Sequence, residues 1–297
     1  MISIINIDSK IPNIALKKVE KYYLDMGEDI EWDSPLMASV SDKTYVSCVF
    51  TENRHLCDEW EGRAEIGGSG YSLSIELPPE IDAVKPRINY GFTTRGCIRK
   101  CHFCIVPEKE GSVHAVGDVY DLWDGTSKKV VIMDNNILAL PDHFMMISGQ
   151  LKGEGLSVDF NQGLDHRLID NTIAKELISL RHTHEIRFAY DDVRYKTSVL
   201  KSLGILRENG LKDWQSRWYV YVGVDDTYDT VYERMAILHE QKQMCYVMRD
   251  RQVHKKPEFV LLAKWGNHLG AFKYDLDWLV GNYKEMAMYK NVHEAHA

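Results

Sequence analysis

Short apolar runs alternate with amphipathic stretches along most of the chain. Ile2 to Ile7 is an apolar strand candidate, and Pro12-Asn13 follows as a helix-start signal. From Ala15 the apolar positions Leu16, Val19, Tyr23 and Met26 recur at helical spacing, and Gly27 can close that helix. Tyr45 to Phe50, rich in β-branched and aromatic residues, predicts a second strand. A turn-rich stretch from Gly67 to Tyr71 and a Pro-punctuated connector from Leu77 to Pro86 come next. The pattern predicts a small Rossmann-like α/β domain over residues 1–86.

Beyond the connector the pattern repeats. Tyr90–Thr94 reads as an opening strand, and further apolar runs begin at Val130, Val158, Ile186, Trp218 and Met244. Amphipathic segments lie between them: Pro141 to Gly153, a stretch after Asp170, one carrying Val199, Leu203 and Leu206 before Gly210, and one from about Tyr228 with Val231, Met235 and Leu238 on one face. Short apolar strands alternating with helices of this length indicate βαβ units and a parallel sheet. Six such units are too few for a closed eight-fold barrel. The expectation is an α/β chain whose residues 87–255 form a partial (β/α)6 barrel, with function at the C-terminal ends of its strands. Residues 256–297 predict a helical extension, whose aromatics (Trp265, Phe272, Tyr274, Trp278, Tyr283 and Tyr289) are expected to pack rather than to cover the barrel mouth.

Composition narrows the class. The 297 residues are 44% hydrophobic and 27% charged, as in soluble globular proteins, and no run approaches the roughly 20 apolar residues that span a bilayer. The opening MISIINIDSKIPN has no basic region ahead of its short apolar run, so no secretory leader is expected and the cytoplasm is the expected compartment. A net charge of −8 argues against a whole-surface nucleic-acid binder. It leaves room for local basic sites: Arg95, Arg99 and Lys100 form one cluster, and Arg249, Arg251, His254, Lys255 and Lys256 another, unless both are simply solvated charge.

Of six cysteines, Cys48, Cys57 and Cys245 are scattered, whereas Cys97, Cys101 and Cys104 fall within eight residues of GFTTRGCIRKCHFCIVPEKEG. In a reducing compartment a tight cluster more often means metal than disulfide. The C-x3-C-x2-C spacing supplies thiolates, the ligands iron–sulfur clusters prefer. Three cysteines on a four-iron cubane leave one iron free to bind a small chelating molecule. A zinc-stabilised interaction module using His102 as fourth ligand, a catalytic thiol, and chance clustering are the competing readings. Cys245 reads as a buried free cysteine in a strand. Cys48 and Cys57 lack metal-ligand spacing, so no second cluster is expected.

With Phe103 before its last cysteine, the motif resembles the C-x3-C-x-Φ-C signature of the radical S-adenosylmethionine (SAM) superfamily, over roughly Ile88 to Arg249. The resemblance implies a 4Fe–4S cluster on Cys97, Cys101 and Cys104, and SAM bound at the open iron through its amino and carboxylate groups. It further implies reductive cleavage to methionine and a 5′-deoxyadenosyl radical that takes hydrogen from a substrate, with a flavodoxin- or ferredoxin-type reductant. Relatives hold the cofactor at successive strand ends. Here those ends carry Asp134, Asn135 and Asn136 in place of the common Gly-Gly-Glu type of segment, then Asn161, Gln162 and Arg167, then Tyr190 and Asp191, then Gly223. The same residues suit a helix cap at Asp134–Asn136 and a local Asp165–Arg167 ion pair. The first domain is similar to the cobalamin-binding domains that precede many of these enzymes, but the D-x-H-x-x-G segment is missing and its one histidine is His55, so cobalamin is not expected. An iron–sulfur sensor that does not cleave SAM is the alternative from another class. The substrate is left open between a nucleotide or nucleic acid, a peptide and a small metabolite.

Overall fold

The computed structural model of the chain describes residues 1–268, 270–282 and 288–296; Tyr283 lies outside them. The first unit is a sheet of four parallel strands, β1 (Ile2–Asn6), β2 (Ile30–Trp32), β3 (Lys43–Ser47) and β4 (Glu65–Gly67), in the order β2-β1-β3-β4. Helix Ile14–Asp25 covers it, started by the Asn13 side chain, which accepts the Leu16 N–H at 3.3 Å. Leu16 and Val19 pack with Ile2, Ile4, Tyr45 and Ile81, so the connector that carries Ile81 folds back onto this unit. Strand β3 stops at Ser47, short of the expected Phe50. The Asp8 carboxylate accepts the N–H groups of Val49 (2.8 Å) and Phe50 (2.9 Å), drawing them out of any ladder before the 3₁₀ helix Thr51–Trp60. Strands β2 and β4 span three residues each, too few for a periodic signal.

The second unit contains β5 (Tyr90–Gly91), the antiparallel pair β6 (Thr94–Arg95) and β7 (His114–Ala115), β8 (Lys129–Ile132), β9 (Ser157–Phe160), β10 (Arg181–His182), β11 (Ile186–Ala189), β12 (Ser216–Val222) and β13 (Met244–Arg249). Parallel sheets β10-β9-β8-β5 and β11-β12-β13 are linked by a parallel bridge between Leu164 and Phe188. Strands β5, β8, β9, β11, β12 and β13 are therefore neighbours in chain order, and the fold is mixed α/β with parallel sheets.

Alternation along the strands divides two faces. In β12, Ser216, Trp218, Val220 and Val222 are buried whereas Arg217, Tyr219 and Tyr221 are only half-buried. The buried face joins a core supplied by helices Pro141–Gly153, Asn171–Ser179, Lys196–Glu208 and Tyr228–Glu240, through Phe144, Leu151, Leu177, Leu203, Met235 and Leu238 among others. Helix Pro257–Asn267 continues the layer over β13: a Cβ on Gly266 would lie 2.6 Å from Cys245 Sγ. The strand–helix layer thus runs to Asn267, past the boundary expected at residue 255. Trp265 and Phe272 are buried with ring centroids 4.8 Å apart, as the packing expectation has it, whereas Tyr274 and Trp278 stack on each other at the surface. Among the described residues no helix is long and apolar enough to cross a membrane.

Candidate functional site

The three clustered cysteines lie on a loop closed at its base. The β6–β7 pairing brings Arg95 opposite His114, and Cys97 N–H donates to Gly111 O at 3.2 Å. Gly96 has φ +78°, and a Cβ there would stand 2.4 Å from Ser112 O, so the closure requires glycine. Glu110 fastens the same base. Its carboxylate accepts Gly96 N–H (2.8 Å) and Asn135 Nδ2 (2.6 Å), and pairs with Arg95 at 2.8 Å. It thereby ties the loop to the end of β8. Sequence spacing gave no hint of this residue.

All three thiols are half-buried. Cys97 Sγ accepts Arg99 N–H at 3.3 Å and Asn136 Nδ2 at 3.5 Å. Asn136 is 3% exposed and reaches Asp165 with the same amide, while its Oδ1 is buried without a hydrogen-bond partner among the described residues. Asp165 collects Arg99 Nε (2.7 Å) and Arg167 Nε (2.6 Å). Burial pushes the Asp165 carboxyl up, but the two arginines outweigh it and hold it below the usual range. The Asp165–Arg167 ion pair is thus present, and Arg167 also acts electrostatically on Cys101.

Burial raises the thiols of Cys101 and Cys104, and negative charge at Asp191 pushes both in the same direction. Burial moves Asp191 itself up to about 6, although it accepts Tyr221 N–H at 3.2 Å. Phe103 stacks on Tyr221 at 4.0 Å, and the Tyr221 hydroxyl donates to Asp250 at 3.0 Å. Tyr221 was readable from the period-two alternation of WYVYVGV, which puts it on the face opposite the core.

The remaining strand-end residues divide. Asp134 is buried, and its carboxylate accepts both the N–H (2.6 Å) and hydroxyl (2.5 Å) of Thr93; burial raises its pKa. It braces the segment leading into the cysteine loop. Asn161 donates to Met133 Sδ, and its carbonyl accepts the Tyr219 hydroxyl. Gln162 is half-buried beside it. Tyr190 lies in the apolar core at 0% exposure, with burial pushing its phenol to about 12, so its side chain is on the helix-covered face and Asp191 on the other. Gly223 is required for space, since a Cβ there would meet the Tyr221 ring at 2.9 Å.

The first unit reaches this loop. Lys109 Nζ lies 2.5 Å from Ser69 Oγ, and Arg251, after β13, pairs with Glu52 and lies over the Phe50 ring. Cys48 and Cys57 are buried within the first unit, and Cys245 is buried at 1% exposure. His55 is exposed, with Nδ1 2.9 Å from Glu52 O.

Among the described residues no group of three or more His, Cys, Asp or Glu side chains is arranged to hold one metal ion. His102 is exposed and lies 3.7 Å from Asp225. A tetrahedral zinc needs ligands converging on one point at about 2.0–2.3 Å. A cubane takes its thiolates on separate irons, so its ligands need no common centre. The donors fit that second case: three thiols on one closed loop, N–H groups at Cys97, and two arginines beside them. The buried Asn136 Oδ1 fits a small ligand that brings its own N–H donors. The chain matches no family model and no curated protein.

Proposed function

We propose that the chain is an enzyme of radical SAM type, in which the six sequential parallel strands form a partial (β/α)6 barrel and Cys97, Cys101 and Cys104 hold a 4Fe–4S cluster. The chemistry supplied by the bound groups is transfer of one electron to SAM, which breaks into methionine and a 5′-deoxyadenosyl radical able to abstract hydrogen from a substrate. The protein's own residues prepare that event. Glu110 and Gly96 fix the base of the loop, and Asp134 fixes its approach. Asn136 gives an N–H to Cys97 and keeps Oδ1 for an ammonium donor. Arg167, although paired with Asp165, would take the carboxylate, and Asp191 a hydroxyl. Phe103, between two of the cysteines, stacks on Tyr221 and would hold that part of the loop against β12.

The observation that carries this reading is the junction of Cys97 with Asn136: a loop thiol joined to a buried amide whose second polar atom is unmet. The reductant would be of flavodoxin or ferredoxin type and the compartment the cytoplasm. The test is anaerobic reconstitution with iron and sulfide, followed by dithionite and SAM, with chromatography for 5′-deoxyadenosine. The proposal expects about four irons per chain and 5′-deoxyadenosine formation. A loaded cluster that never yields it would leave an iron–sulfur sensor, and zinc without iron or sulfide would leave an interaction module.

A further inference from the structure

The second basic cluster has no part in holding the cysteine loop, yet it is built into the same edge. Strand β13 ends at Arg249, and the next residue, Asp250, accepts the hydroxyl of Tyr221, the ring stacked on Phe103 between Cys101 and Cys104. The turn at residues 251–255 therefore lies beside the site, linked to the cysteine loop through the Tyr221 ring. It is fixed in shape. Val253 is buried at 2%, its N–H donates to Asp250 O, Arg249 Nη1 donates to His254 O, and His254 Nδ1 bonds to Arg251 O.

The charge on this turn is compensated in part, since Asp250 lies between Arg249 and Arg251. Arg251 pairs with Glu52 of the first unit, but among the described residues no ion pair is made by Arg249, Lys255 or Lys256. Lys255 and Lys256 are exposed. In a chain of net charge −8 the two lysines leave this rim a small positive excess. An aromatic ring belongs to the same surface: Phe50, 46% exposed, lies under the Arg251 guanidinium at 5.8 Å. Exposed cations beside a half-exposed ring are the combination that holds a single nucleic-acid strand, the cations following phosphates and the ring stacking a base.

We infer that the rim formed by Arg249–Lys256 and Phe50 binds a nucleic-acid strand, which delivers one of its nucleotides to the cysteine loop. This rests on the radical SAM reading for its chemistry and on the rim alone for its binding. The acidic balance elsewhere confines contact to this rim, so few phosphates are expected to be engaged.

The test is fluorescence anisotropy with full-length reconstituted protein and labelled single-stranded RNA and DNA of about 16 nucleotides, the upper end of the length a single-strand groove follows, with free ATP as competitor. Binding should weaken with salt. Lys255→Glu with Lys256→Glu should lower affinity at least tenfold and reduce the salt slope by about 1.4, at about 0.7 per lost contact. Phe50→Ala should weaken binding several-fold without changing that slope. Iron content and melting temperature, measured on each variant, report whether it is folded and loaded. No binding by the wild type, or a slope unmoved in folded double variants, would overturn the inference. ATP displacing the strand at equal concentration would replace it with a mononucleotide site. Wild-type protein that yields 5′-deoxyadenosine but binds no strand defeats this inference alone; strand binding without 5′-deoxyadenosine defeats the function proposed above.

Discussion

The two parallel α/β units each present a carboxyl-terminal strand edge, and the edges are finished in opposite ways. In the first unit the edge closes on itself. Asp8 directs both carboxylate oxygens to Val49, Phe50 and Asn53, and Gly68 and Gly70 pack so tightly that a Cβ would stand 2.3 Å from Cys48 O and 2.4 Å from the Phe50 carbonyl carbon. In the second unit the edge is left open: the thiols are half-buried, and Asn136 keeps a buried oxygen without a partner. Buried polar atoms are normally satisfied, and under the function proposed above this one would be met by the cofactor. The same architecture is closed by hydrogen bonds at one edge and, under the proposed function, binds a cofactor at the other.

The contrast breaks most sharply at the cysteines. Cys97→Ala, Cys101→Ala or Cys104→Ala should abolish iron retention, whereas Cys48→Ala should leave iron per chain at the wild-type level; chemical iron and sulfide analysis decides. Equal loss from Cys48→Ala would erase the distinction between the edges. A smaller effect is expected at Glu110. Glu110→Ala strands Gly96 N–H, the Asn135 amide and Arg95, and should destabilise the metal-free fold by about 2–3 kcal/mol in urea titration. Glu110→Gln should recover part of that and retain more iron than Glu110→Ala.

Asn136→Ala sharpens the comparison without removing the cluster. Iron should stay bound while the SAM dissociation constant rises about tenfold, one hydrogen bond's worth, by equilibrium dialysis. The mildest change concerns pH. His166 is buried at 2%, and burial lowers its pKa from 6.5 to about 4. The unfolded chain takes up that proton first, so the neutral ring's contribution is whole above pH 6.5. It is lost progressively as pH falls toward about 4, up to about 3 kcal/mol in all. Urea midpoints across that window should fall less steeply in His166→Gln.

The strand–helix alternation was legible because strands such as β12 bury every second residue against helices with 3.6-residue periodicity. The cysteine loop was legible because thiol spacing is local. What could not be read were contacts made across the edge. Glu110 meets Asn135, and Asp165 meets Arg99, only once β5, β8 and β9 lie side by side. Tyr190 and Asp191 are consecutive, yet one enters the core and the other faces the thiols, a choice made by register and not by residue type. Strands of two or three residues, such as β2 and β10, carry no period to detect.

If Cys97, Cys101 and Cys104 hold a cluster with one iron left open, electron paramagnetic resonance of the reduced, reconstituted protein will show it. The reduced-cluster signal should shift its g values when SAM is added, and at limiting SAM the shift should be smaller in Asn136→Ala. A cluster signal that SAM leaves unchanged at saturating concentration would contradict it.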